Sequence, residues 1–206
     1  MVFGWWVCHF FSPPHPASWV SILGAVAFAD FSFYFIHRYF NHGKKNLPIV
    51  RWFRRNHAPH HSVEALDFLR GNLSSWIDTS VASFQIPLVI FGAILGFDLI
   101  SEWVAYVLIL LFQSTHHVNH TFNIGWLSRI FVDNHNHKIH HCPRGYLVNH
   151  GAVFSLWDQC FGTYYENRNI SPSYFEKNRI PLPITGRSPI HRIASRSGRS
   201  VSLTDP

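Results

Sequence analysis

The sequence predicts an all-α fold of integral membrane helices with a helical cap on their cytosolic side. Three observations carry this. Of 206 residues, 47% are hydrophobic and only 14% charged, a balance that leans toward the bilayer. Two apolar stretches measure close to one and two times the ~20 residues needed to cross a hydrocarbon core. Sixteen histidines gather in clusters beside those stretches, which points to a histidine-ligated dimetal site in the cap.

Met1 to Phe11 is apolar but short, and Ser12-Pro13-Pro14-His15-Pro16 stops any helix there. It lacks a basic start and a small-residue cleavage site, so no signal peptide is expected. The first membrane helix runs from about Ala17 to His37, with Gly43 as its C-cap and Lys44, Lys45, Arg51, Arg54 and Arg55 in a basic loop behind it. The second stretch, Trp76 to Thr115, is long enough for two crossings and reads as a hairpin turning at Gly96-Phe97-Asp98. Pro87 predicts a kink in its first arm; Asp78 and Glu102 fall near the ends rather than at mid-depth. The Trp residues concentrate near the ends of the apolar stretches, where an amphipathic ring suits the interface.

Positive residues follow Tyr39 and Thr115, whereas the Gly96–Asp98 turn carries only a negative charge, so both basic loops are expected in the cytoplasm. Every histidine cluster falls on that side. From Ser171 onward Pro, Ser, Arg and Gly dominate, which divides the chain into a membrane-embedded domain over 1–170 and a mobile tail over 171–206. The net charge of +6 suits a membrane surface; no aromatic-basic motif for nucleic acid occurs. Cys8, Cys142 and Cys160 form no CxxC pair and no disulfide framework.

The histidine clusters are His37–His42, His57-Ala-Pro-His60-His61, His116-His117-Val-Asn-His120 and His137-Lys-Ile-His140-His141. Imidazole suits iron, zinc, copper and nickel, and eight or more converging rings hold more than one ion. On a helix, positions i, i+3 and i+4 share a face, so each HxxHH string is expected to aim three imidazoles at one point. Pro59 disfavours helical geometry at Ala58, which suggests His57 on a turn and a helix beginning at His60. His37 and His42 lie about 140° apart on an ideal helix and share a face only if the helix ends between them. His9, His15, His150 and His191 are read as surface or capped core residues. Asp30, Tyr34 and His37 follow i, i+4, i+7; a carboxylate inside the apolar segment suggests an outer-shell partner for a metal-bound imidazole. The competing use of Asp30 is a bond to Ser32 or to backbone.

Together these residues resemble the fatty acid hydroxylase/sterol desaturase superfamily of membrane histidine-box di-iron oxygenases. The resemblance runs from about Asp30 to Tyr165. It rests on Asp30…Tyr34…His37-Arg38, His57-x-x-His60-His61-Ser62 with Arg70 downstream, His117 in a His-x-Asn element, His137-x-x-His140-His141, and Asn149-His150-Gly151…Leu156-Trp157-Asp158…Phe161-Gly162-Thr163-Tyr164. The resemblance implies two iron ions, a lipid substrate in the bilayer, and electrons from cytochrome b5 or a similar reductase. It also implies the ligands His37, His42, His57, His60, His61, His117, His137, His140 and His141. His120, three residues after His117, is added to these on helical spacing; His116 is a weaker candidate. The family carries more hydrophobic chain before its first box, so a shortened or incomplete form is expected; His150 stands where Tyr is frequent.

The expected activity is O2-dependent hydroxylation or desaturation of a lipid C–H bond, in the endoplasmic reticulum of a eukaryote or the inner membrane of a bacterium. The Phe161–Tyr164 ending resembles the hydroxylases and alkylglycerol monooxygenase-like members more than sterol desaturases. Trp126, Trp157 and Phe161 read as substrate walls or plain core. The rival from another class is a membrane protein holding zinc for structure or transport without redox chemistry. Transport would place ionisable ligands at mid-membrane, whereas these cluster at helix ends. A zinc protease is excluded by the lack of any HExxH string, and no nucleophilic Ser or Cys motif supports a hydrolase.

Overall fold

A computed structural model describes residues 16–62, 83–118, 124–142 and 147–166. Arg70, Asp78, His120, the first arm of the hairpin before residue 83, and the proposed tail lie outside the described residues. Helix α1 (Trp19–Ile36) is capped by Ser18, whose hydroxyl accepts from the Ser21 amide at 3.1 Å. It passes without a break into a π turn, His37–Asn41, instead of ending. Helix α2 (Pro48–Ser62) follows, then α3 (Ile86–Leu95) and α4 (Leu99–His116). A 3₁₀ turn (Gly125–Arg129) and two short helices, α5 (Asn134–His140) and α6 (Leu156–Cys160), complete the described residues.

The expected turn at Gly96–Asp98 joins α3 to α4, and of the expected first arm only residues 83–95 are described. Gly96 caps α3 in the left-handed region at φ 71°, a conformation costly for any residue with a Cβ. Asp98 then caps α4, accepting from the Ser101 amide at 2.9 Å and its hydroxyl at 2.6 Å. The kink expected at Pro87 takes another form: Pro87 is at the start of α3, directly behind a π turn over 83–85, where a missing N–H costs little.

Helices α1 and α4 are each long and apolar enough to span a bilayer. Their shared core is built on small residues, Ala25 and Ala29 of α1 with Ala105 of α4, which let the backbones approach closely. Phe33 stacks flat on Phe84 at 4.4 Å. Between α3 and α4, Gly92 admits the buried Glu102: a Cβ there would lie 2.0 Å from the carboxylate. The opposite faces expose Trp19, Val20, Leu23, Ile90, Ile94, Ile100, Val107, Leu108 and Leu111. Facing water, they would forfeit roughly 1–2 kcal/mol each, a sum comparable with the whole stability of a domain. A bilayer removes that cost, and the protein is a membrane protein.

Pro59 does not break α2, which runs through it to Ser62. Because Pro59 lies in the last turn, it forgoes one helical hydrogen bond near an end that frays in any case. Gly43 also acts differently from the expected cap. A Cβ there would fall 1.9 Å from the Tyr39 carbonyl, so the residue permits a close backbone approach under the π turn.

Candidate metal centre

The π turn solves the spacing problem of the first cluster. Its i→i+5 bond, from the His42 amide to the His37 carbonyl at 3.0 Å, places residues five apart on one face. The two rings then sit with centroids 4.8 Å apart. A helix that widened rather than ended was not legible from an α-helical wheel.

Two groups of imidazoles form. His37, His42, His57, His61 and His140 make one, and His60, His117, His137 and His141 the other, with the ligand atoms in each group within 4.8 Å of one another. Neither HxxHH string therefore aims three rings at one point. Each sends its i and i+4 members one way, and its i+3 member the other way. The reason is angular: i and i+4 are 40° apart, whereas i+3 lies 60° to the opposite side of i. The string on α2 gives two rings to the first group and one to the second; the string on α5 reverses the proportion. The groups adjoin, with His61 stacked on His141 at 4.3 Å.

The tautomers reveal what these groups can hold. His37 Nδ1 is 2.8 Å from the His150 carbonyl and His140 Nδ1 is 2.8 Å from the Val148 carbonyl, so each ring donates there and keeps a lone pair on Nε2. Near His57 Nδ1 the Asn41 amide nitrogen lies at 3.3 Å; a metal on His57 Nε2 requires the opposite amide orientation, with the Asn41 oxygen accepting the Nδ1 proton. The Nε2 atoms then face one another: His37 to His57 at 3.1 Å, His37 to His42 at 3.1 Å, and His57 to His61 at 3.0 Å. In the second group His137 and His141 meet Nε2 to Nε2 at 3.0 Å. Two imidazole nitrogens this close hold either a shared proton or a cation between them. With imidazole–metal bonds of about 2.1 Å, right-angled ligands are about 3.0 Å apart and tetrahedral ligands about 3.4 Å. The donor set fits an ion with ligands at right angles.

Burial holds His42, His57, His61, His117, His137, His140 and His141 well below the ordinary value near 6.5, and neighbouring imidazoles lower them further. The rings are thus neutral at pH 7, the form a metal requires.

Other candidate residues are placed outside these groups. Buried His116 belongs to neither: it stacks on His137 at 4.8 Å and its Nε2 reaches the Val132 carbonyl at 3.2 Å. His150 is no surface residue but is 2% exposed, its ring 5.4 Å from that of His140. Asp30 is fully buried, yet it does not hold an imidazole. Its oxygens accept from the amides of Ala152 (3.1 Å), Val153 (2.8 Å) and Phe154 (2.8 Å) and from Trp157 Nε1 (2.9 Å), the backbone alternative, because those donors have no other acceptor within the apolar segment. Trp126 is 72% exposed, so it is neither core nor wall. Phe161 stacks on Tyr34 at 5.4 Å.

Sequence reasoning missed Asn41, Asn149 and Asp158. Asp158 accepts from the amides of His150 and Gly151, both at 2.8 Å, and from the Thr163 hydroxyl at 2.7 Å. Burial pushes it up to about 6, against the pull of those bonds, so it is largely ionised at pH 7. Asn149, at φ 56°, ties the same loop to the Asn136 and Tyr165 carbonyls. Arg38 donates to the Tyr34 hydroxyl at 2.6 Å, which bonds Thr163 at 2.8 Å. The Trp-Asp…Phe-Gly-Thr segment was the available signal, but carbonyls facing imidazoles leave no mark on a sequence. A cavity of about 760 Å³ opens beside the first group; His42 and His150 line it with Tyr39, Phe40, Leu47 and Val148.

A family model for fatty acid hydroxylase matches residues 22–163. An alkylglycerol monooxygenase of Caenorhabditis elegans is 25% identical over 169 residues, covering 78% of this chain and 29% of that protein. The chain therefore spans less than a third of the length of this curated relative. No solved structure matches.

Proposed function

The chain belongs to the fatty acid hydroxylase family, and from that premise we propose that it is a membrane di-iron oxygenase that hydroxylates or desaturates a lipid C–H bond with O2 and reductant. The observation that carries the reading is the pairing of a five-imidazole group with a four-imidazole group, every ring buried except the half-buried His42. Structural zinc closes its site with four ligands in tetrahedral array. Five imidazoles within 4.8 Å of one another, three of their nitrogen pairs 3.0–3.1 Å apart, favour iron over that rival.

His37, His42, His57, His61 and His140 would hold one ion and His60, His117, His137 and His141 the other. Two irons bound there supply the reductive activation of O2 that an unactivated C–H bond demands. Hydroxylation consumes one O2, two electrons and two protons per alcohol formed and releases one water. The electrons come from a cytochrome b5-like or reductase partner. The chain's own contribution is to fix ring orientation through the carbonyls of Val148 and His150, limit water by burying every ligand but the half-buried His42, and present a largely apolar cavity beside His42. The name of the relative, a monooxygenase of alkylglycerols, supports a lipid with a long alkyl chain as substrate. By the distribution of positive residues the metal groups face the cytoplasm.

The test is purification in detergent under reducing conditions, with metal analysis and a lipid oxidation assay. About two irons per chain and O2-dependent product are expected. Full activity with zinc alone would remove the oxygenase reading.

A further inference from the structure

Five consecutive backbone amides, residues 150 to 154, are all held by carboxylates: Asp158 takes the first two and Asp30 the next three. A segment held this way cannot rotate its peptide planes independently. One carbonyl on this segment meets an imidazole: that of His150, which meets His37 of the five-histidine group. In the four-histidine group, Nδ1 of His117 and of His137 have no partner among the described residues. The two groups thus differ in how firmly their ligands are oriented.

We propose that Asp158 is a positioning residue selective for the five-histidine group: by gripping the amides of His150 and Gly151 it sets the His150 carbonyl, coplanar with the Gly151 amide, that locks His37 with Nε2 toward the metal. Thr163 is part of the device. Its hydroxyl donates to Asp158 and bonds Tyr34, whose oxygen receives Arg38, so α1 and the loop are tied together at the carboxylate. Asn at position 158 is isosteric but offers one acceptor oxygen, and its NH₂ would oppose an amide donor. The His150 carbonyl would then turn, and His37 would lose its fixed tautomer.

The inference rests on the two-metal reading above. The test loads the full-length protein anaerobically in detergent with ⁵⁷Fe(II), then measures iron per chain and the Mössbauer spectrum. His42→Ala identifies the signal of the five-histidine group and His117→Ala that of the other. Asp158→Asn is expected to reduce iron from about two to about one per chain and to remove the first signal while keeping the second, a selectivity that general loosening would not produce. Thr163→Val should weaken the same signal, and Thr163→Ser restore it. Equal loss of both signals, no loss of either, or loss of fold in both Asp158→Asn and Thr163→Val overturns the proposal. A wild-type protein that takes up no iron pair defeats the two-metal reading itself, whereas two irons with even loss defeats only this inference.

Discussion

Asp30 offers the sharpest test of how the membrane helix is joined to the metal cap. Its two oxygens satisfy three backbone amides and one indole N–H, all on the loop that faces His37 and His140. In Asp30→Asn one oxygen survives and an NH₂ group confronts the donors of the other, here Phe154 and Trp157. Leaving two buried donors unpaired costs about 1–3 kcal/mol each, so about 2–6 kcal/mol in all. For a chain of this size 1 kcal/mol shifts the melting temperature by roughly 2–4 °C, which predicts a fall of roughly 4–24 °C. Trp157→Phe removes one bond and should lower it by roughly 2–4 °C. Both are read from fluorescence-detected gel filtration of heated, detergent-solubilised protein. An Asp30→Asn melting temperature within 2 °C or so of wild type would mean that these bonds do not hold the loop, and the reasoning would fail.

His140→Ala should abolish lipid oxidation and lower the iron content while leaving the chain inserted, since insertion depends on apolar helices. His116→Ala, outside both groups, should retain iron; metal analysis of the two variants checks the division. Cysteines placed at Phe97 and Lys45 should label from opposite sides of the membrane, and labelling from one side would end the topology. In the metal-free chain, buried His57, His61, His137, His140 and His141 resist protonation that the unfolded chain accepts near pH 6.5. Their neutral packing therefore costs nothing extra above that pH and withdraws stability progressively as pH falls below it. Near-UV circular dichroism should show the metal-free cap lost between pH 6.5 and 5 and the iron-loaded cap surviving further into acid.

The sequence by itself determined the apolar helices and the hairpin turn, because these follow from local chemistry, whereas the nine histidines that group came from the family resemblance, and His120, added on spacing, lies outside the described residues. Apolar run length sets a crossing. Gly96 and Asp98 end one helix and begin the next within three residues. The second Nε2–Nε2 pair, His137 with His141, follows from i, i+4 spacing alone. Tertiary structure alone decided the partition of the rings. His60 and His140 cross to the group opposite their own string, and that depends on how α2 and α5 face each other. It also decided that His37 and His42 meet, through a π turn whose wider ring an α-helical spacing rule cannot anticipate. Asp30 looked like a metal-site partner because it shares a helix face with His37. In the fold a loop more than a hundred residues away reaches it first, since five adjacent amides without strand or helix partners need acceptors more urgently than an imidazole served by a carbonyl.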